Sequence, residues 1–366
     1  MTRASHTLWT ALTTAGLMAC KGGEDGILDD TNPVAEGPLA VVTTVAQDYA
    51  TGGFATVSLD DWTVNDNLFL TTGDAAVSVN DGVIYQLNRY GYDNLRRYTP
   101  GDWAAPMWER STGDRTNPYD AATCAGKLFV SLYNDDALAV LDPTTGDLLS
   151  EVDLSEAVIQ GGPEPEATEI IVRGDSLYVA LNGLDQANGW ESVGGAVVEV
   201  DCVGEAVTGR WAVGGNTELH AWDGAGLLVS SESIDGAGAG VWSLDPDEDE
   251  LTKLIDGDRL GGTISDVAAA GVDALILTPS ADYATFTMTC ADLATGALTE
   301  LGTFSEYLPK VEVNDRGEAW VIARWGWADP TNDKPGIYVV DLATCALKNP
   351  DDPITFTLAP YDLDWL

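Results

Sequence analysis

The feature that most constrains this chain is a repeat: a short apolar run, a variable loop, a second apolar run closing on Asp, and a tight turn. The first runs are Val83-Ile84-Tyr85, Leu128-Phe129-Val130, Leu177-Tyr178-Val179, Leu227-Leu228-Val229, Ala274-Leu275-Ile276 and Ala319-Trp320-Val321. Asp142, Asp201, Asp245, Asp292 and Asp341 close second runs and are separated by 59, 44, 47 and 49 residues. Short apolar runs bounded by turn residues suit strands buried between stacked sheets. A period of about 40–50 residues, with about four short strands in each, is the signature of a β-propeller. The turns have a mechanism: in Asp142-Pro143-Thr144-Thr145-Gly146 and Asp292-Leu293-Ala294-Thr295-Gly296, Asp and Thr bond nearby amides and Gly allows positive φ. Helical periodicity is almost absent, with one turn at most between Leu154 and Ile159.

Six units start near Asp74, Asp120, Glu169, Glu218, Asp266 and Lys310. The C-terminal Ala359-Pro360-Tyr361-Asp362-Leu363-Asp364-Trp365 resembles the inner strand that opens at Asn117-Pro118-Tyr119-Asp120, and the chain then stops. Pro38 to Val42 supply the missing second strand, and Phe54 to Asp60 read as its Asp-ended partner. The expected fold is therefore all-β, a seven-bladed propeller over residues 38–366. Its ring is closed by N-terminal strands pairing with the C-terminal strand, which leaves fewer free sheet edges.

The N-terminus reads as a secretory signal over residues 1–19: one early charge, Arg3, then an apolar stretch too short to span a bilayer. Leu17-Met18-Ala19-Cys20 resembles the bacterial lipobox, with Met18 standing where a smaller residue is usual. That resemblance implies a diacylglyceryl group on Cys20, a durable anchor. Residues 20–37 then form a flexible tether rich in Gly, Asp, Glu, Asn and Pro. Lys21, where enteric inner-membrane lipoproteins carry Asp, favours the outer membrane. The expectation is a monomer in the bacterial envelope, held to the membrane through its lipid.

Net charge is −42. So acidic a surface opposes phosphate backbones and excludes nucleic acid as a partner. It also suits a halophile, in which case it says nothing about partners. Cys124, Cys202, Cys290 and Cys345 could pair in three ways in an oxidising compartment. Spacing does not choose among them, and no CxxC suggests zinc.

There are two histidines, His6 in the leader and His220, so multi-histidine metal sites are excluded and a Ser-His-Asp triad would depend on His220 alone. There is no P-loop, dinucleotide fingerprint or nucleophile elbow. The sharpest constellation lies in the repeat register, where acids recur at the start of the inner strands. Asp74, Asp120, Glu169, Glu218, Asp266 and Asp362 would ring the channel mouth, with Lys310 replacing an acid in the sixth unit. Such a ring fits calcium, a hard cation that takes six to eight oxygens. His220 is a pore-lining candidate. Arg89, Trp190, Arg324, Trp325 and Trp327 sit on loops whose aromatic and Arg content suits a ligand or partner surface. Trp211, Trp222, Trp242, Trp320 and Trp365 read as core.

Lys127 to Leu149 and Ser176 to Val207 resemble the YVTN-repeat, YncE-like propellers of bacterial envelopes, a likeness that extends as architecture over residues 38–366. It implies a seven-bladed fold and envelope location and carries no catalytic residues across. The leading expectation is thus an envelope-anchored binding module for an unidentified envelope protein, glycan or small ligand. The alternatives are a metal-dependent lactonase-like or quinoprotein-like enzyme, and a structural envelope component. No complete catalytic set supports an enzyme at this level.

Overall fold

The computed structural model describes residues 37–157, 165–185, 189, 191–222, 226–231, 239–326 and 333–366. These belong to one compact unit, Ala35–Leu366. The leader, Cys20, Trp190 and Trp327 lie outside the described residues.

The described residues form seven four-stranded antiparallel sheets, plus a small hairpin of Leu184–Asp185 with Glu191–Ser192. We number the blades along the chain. Blade 1 is made from both termini: the inner strand Ala359–Trp365, then Leu39–Val45, Gly52–Ser58 and Val64–Thr71. Blades 2 to 7 follow, with inner strands Ala75–Asn80, Pro118–Cys124, Ala167–Arg173, Thr217–Trp222, Asp266–Ala270 and Tyr307–Val313. Each inner strand neighbours the next around the ring. Closure is as the sequence predicts: Val42 lies opposite Leu363, and Leu366 N donates to Leu39 O at 2.8 Å.

Burial falls from the second strand of a blade to its outer edge. Glu318–Arg324 is buried at every position, whereas the outer strand Ala206–Ala212 has no buried residue. The reason is stacking. A second strand is covered on both faces by neighbouring blades, so it must be apolar on both faces and loses its alternation. Each Leu, Ile, Val or Phe so buried contributes about 1.5–3 kcal/mol. Trp320 is fully buried and meets Trp365 edge-on at 5.3 Å. Trp211, Trp222 and Trp242 are only half-buried and send their indole N–H to Asp249, Gly271 and Ser231.

The Asp-ended turns form as expected: Asp142 Oδ1 accepts from Thr144 N at 2.7 Å and Thr145 N at 3.1 Å, and Asp292 Oδ1 from Ala294 N and Thr295 N. The helical turn is a 3-10 turn at Ser155–Ala157. The disulfides are Cys124–Cys202, joining blades 3 and 4, and Cys290–Cys345, joining blades 6 and 7.

Every inner strand runs the same way, so strand starts share one end of the channel. The loops from second to third strands open at that end too. The loops carrying Arg89 and Trp325 therefore surround the mouth onto which the inner strands begin.

Candidate active site

The inner-strand acids first hold the blades together. Asp120, Asp266 and Asp362 share one role. Each Oδ2 accepts an amide from the next blade: Ile170 N at 2.8 Å, Val311 N at 2.7 Å and Val77 N at 2.9 Å. Asp120 and Asp266 also take the amide that follows them, at 2.7 Å each. The accepted amides follow Glu169, Lys310 and Ala76, so those three occupy the equivalent position in their strands. Asp74 does not belong to this register. It precedes its strand and pairs with Arg89 at 2.7 Å.

Two residues further along each strand lies a second set that the sequence reading passed over, apart from His220. Ser78 donates to Asp120 Oδ1 at 2.5 Å, and His220 Nε2 lies 2.8 Å from Asp266 Oδ1. Lys310 Nζ binds Asp362 Oδ1 at 2.5 Å and Glu312 Oε1 at 3.3 Å. Asp364 accepts Val79 N and Trp365 N, both at 2.6 Å. Recurrence of polar residues at this second position in Ser78, His220, Glu312 and Asp364 is the signal that could have found them.

These neighbours set the protonation. Burial alone would pull the His220 imidazole down, but the Asp266 carboxylate outweighs it, aided by Glu312 and Glu169, and raises it to about 9. Burial raises Asp120 to about 6 and, with the charge of Glu312 adding, Asp364 to about 8. The Lys310 ammonium is held well above its ordinary value: burial opposes its charge, but Asp362 and Glu312 prevail. Burial, and then the negative charge of Glu169, hold Glu218 well above the carboxylate range. Oε2 of Glu169 is buried and has no hydrogen-bond partner among the described residues.

All of these groups line one cavity of about 760 Å³ along the channel. Its outer part is cationic and aromatic. Arg89 binds Asp74, donates to the Tyr361 hydroxyl at 2.6 Å and stacks 4.6 Å from the Tyr119 ring. Arg324 lies over Tyr307 and Tyr361. Trp325 is half-buried beside it in sequence. The structure thus brings Arg89, Arg324, Lys310, His220, Glu169 and Glu218 to one cavity.

Of the carboxylates expected to ring calcium, Asp74, Asp120, Glu169, Glu218, Asp266 and Asp362, the structure engages four with partners of their own. Among the described residues no group of three or more His, Cys, Asp or Glu is disposed to hold a metal ion. The carboxylates of Asp120, Asp266 and Asp362 are turned to backbone amides and that of Asp74 to Arg89. Inner-strand amides left without ladder partners need acceptors, and the acids supply them instead of converging on a cation.

No protein-family model and no curated protein matches the chain. Solved structures do. A Bacteroides fragilis protein provisionally assigned as a 6-phosphogluconolactonase aligns at TM-score 0.63 and 13% identity, over 90% of this chain and 98% of that one. The Pseudomonas aeruginosa periplasmic gluconolactonase aligns at 0.61 and 14%, over 90% and 99%. A Bacteroides uniformis protein with the same provisional 6-phosphogluconolactonase assignment aligns at 0.62 and 11%, over 90% and 99%. At these identities the likeness establishes the seven-bladed propeller fold.

Proposed function

We propose that the channel is a hydrolytic site for a small cyclic ester of the sugar-lactone class. One observation carries this reading: the Glu169 and Glu218 carboxyls meet side by side inside a polar cavity, within hydrogen-bond reach of each other. Two adjacent carboxyls resist ionising together, so one can serve as acid while the other serves as base. The Glu169 carboxylate takes a proton from water as the water oxygen bonds to the lactone carbonyl carbon. Lys310 and protonated His220 offset the charge that develops on the carbonyl oxygen. The ring C–O bond then breaks, and Glu218 gives its proton to the leaving alkoxide. The product is an open hydroxy acid, and a proton passing from Glu169 to Glu218 resets the pair. The names of the structural neighbours agree with this class, as analogy only.

The test is acid release from gluconolactone followed by pH-stat against buffer alone. Glu218→Gln and Glu169→Gln should each lower turnover by about 10²–10⁴-fold. If no sugar lactone is turned over faster than in buffer, the channel is a binding site without chemistry. That second reading, the binding module, is favoured by the arginine and tyrosine mouth.

We further propose that the chain is a YVTN-repeat, YncE-like propeller of the envelope, secreted and tethered through lipid on Cys20. Labelled palmitate incorporated by the wild type and lost in Cys20→Ser supports the anchor. An unlabelled wild-type chain in the soluble fraction overturns it.

A further inference from the structure

Arg324 ends the second strand of blade 7 and is 8% exposed. Its guanidinium sits 4.9 Å from the Tyr307 ring centroid and 4.6 Å from that of Tyr361. Among the described residues its side chain donates from Nη1 to the Tyr49 hydroxyl at 3.3 Å, while Nε is buried without a hydrogen-bond partner. Among the described residues it forms no ion pair. Arg89, the other arginine of the mouth, is neutralised by Asp74. A guanidinium carries five donors. Buried without a counter-charge it is costly, and two aromatic faces offset only part of that cost.

Around Arg324 one unusual turn occurs twice. Asp48-Tyr49-Ala50-Thr51 in blade 1 and Asp282-Tyr283-Ala284-Thr285 in blade 6 share their hydrogen bonds. Ala46 N donates to Thr51 O at 2.9 Å and Ser280 N to Thr285 O at 2.8 Å. Ala50 N and Ala284 N donate to Asp48 and Asp282 Oδ1 at 3.1 and 3.2 Å. Tyr49 and Tyr283 have φ of 56° and 55°, a left-handed conformation in which an aromatic is strained. Gly or Asn would hold the same turn at less cost, yet both blades flanking Arg324 place a tyrosine there, 49% and 37% exposed.

We propose that this mouth binds an acidic sugar, with one carboxylate on the Arg324 guanidinium and the sugar ring against the tyrosine faces. The inference rests on the channel being a ligand site, as proposed above, and narrows the substrate to a sugar-acid lactone that keeps a second, free carboxylate. A carboxylate fits better than a phosphate. A single guanidinium matches one negative charge in a two-bond fork, whereas a phosphate monoester carries about −1.5 to −2 at neutral pH. The acids deeper in the channel repel that excess charge.

The experiment is titration calorimetry of the purified full chain with glucuronate, glucose and a hexose phosphate, none of which can be hydrolysed as a lactone. Glucuronate should bind at least about tenfold more tightly than glucose, the scale of one charge-assisted pair, and the hexose phosphate more weakly than glucuronate. Arg324→Lys should remove about that tenfold preference, and Tyr283→Ala should weaken both sugars, with melting temperatures confirming folded variants. Glucuronate binding unchanged in Arg324→Lys, or a hexose phosphate bound as tightly as glucuronate, overturns the inference. Lactone assays separate the two readings. Glucuronate bound through Arg324 without any lactone turnover removes the hydrolase alone. Gluconolactone turnover without glucuronate binding removes this inference alone.

Discussion

His220 Nε2 and Asp266 Oδ1 meet at 2.8 Å across the boundary between blades 5 and 6, both nearly sealed from solvent. The pair makes stability depend on pH in a particular direction. The folded imidazole titrates at about 9 against an ordinary 6.5. Its contribution is therefore complete below about pH 6.5 and lost as pH rises through 9. At about 1.36 kcal/mol per unit it amounts to something on the order of 3 kcal/mol. Asp120, raised to about 6, and Asp364, raised to about 8, act with the same sign. The exposed turn carboxylates Asp282, Asp292 and Asp341, held low by hydrogen bonds, act oppositely and lose their contribution as pH falls below about 4. Urea midpoints should peak in mildly acidic buffer and decline towards pH 9, with a shallower decline in His220→Gln. A midpoint that rises from pH 6 to 9 would contradict the assignment.

Lys310 and Asp362 test the ring closure. Asp362 joins the C-terminal strand to blade 2 through Val77 N, while its other oxygen holds Lys310 from blade 7. Lys310→Met leaves Asp362 and Glu312 as nearby negative charges without their cation. Removing one partner of a buried pair costs about 3–5 kcal/mol, and the low end applies because the Lys310 side chain keeps 31% of its exposure. Adding Asp362→Asn should recover part of the loss. Additive losses in chemical denaturation would show that the two residues do not act as a pair.

The two disulfides join neighbouring blades across sequence separations of 78 and 55 residues. Closing loops of this length constrains the unfolded chain, by about 4 kcal/mol in the chain-entropy account. Reduction, or Cys124→Ser with Cys202→Ser, should lower the melting temperature by several degrees and leave the β-sheet signal at room temperature intact. An unchanged melting point after verified reduction would discount the bridges as stabilising elements.

The fold was legible because propeller packing writes itself locally. Runs such as Leu128-Phe129-Val130 are apolar on both faces, and each Asp turn satisfies its own amides, so neither needs knowledge of distant residues. The shared closing blade was legible for the same reason, as Tyr361-Asp362 repeats Tyr119-Asp120. The site was legible only in its positions. The repeat located Asp120, Asp266 and Asp362, yet it carried no sign that their oxygens face amides of the next blade. Nor could it reveal that Arg89 is neutralised by Asp74 while Arg324 has no ion pair among the described residues. Asp74 and Arg89 are 15 residues apart, but Arg324 depends on Tyr49 and Tyr361 from opposite ends of the chain.

The inter-blade role of the acids predicts indifference to calcium. A calcium site of useful affinity needs six to eight oxygens free to turn towards one point. Asp120, Asp266 and Asp362 would have to leave the amides of Ile170, Val311 and Val77 to provide them, exposing buried N–H donors at about 1–3 kcal/mol each. Lys310, fixed between Asp362 and Glu312, would repel the ion as well. Calcium or a chelator should therefore shift the melting temperature by less than the scatter between replicates, and the purified chain should carry no stoichiometric calcium. A chelator-sensitive transition restored by calcium would mean that the carboxylates rearrange around a cation, and the inter-blade role assigned to them would have to be withdrawn.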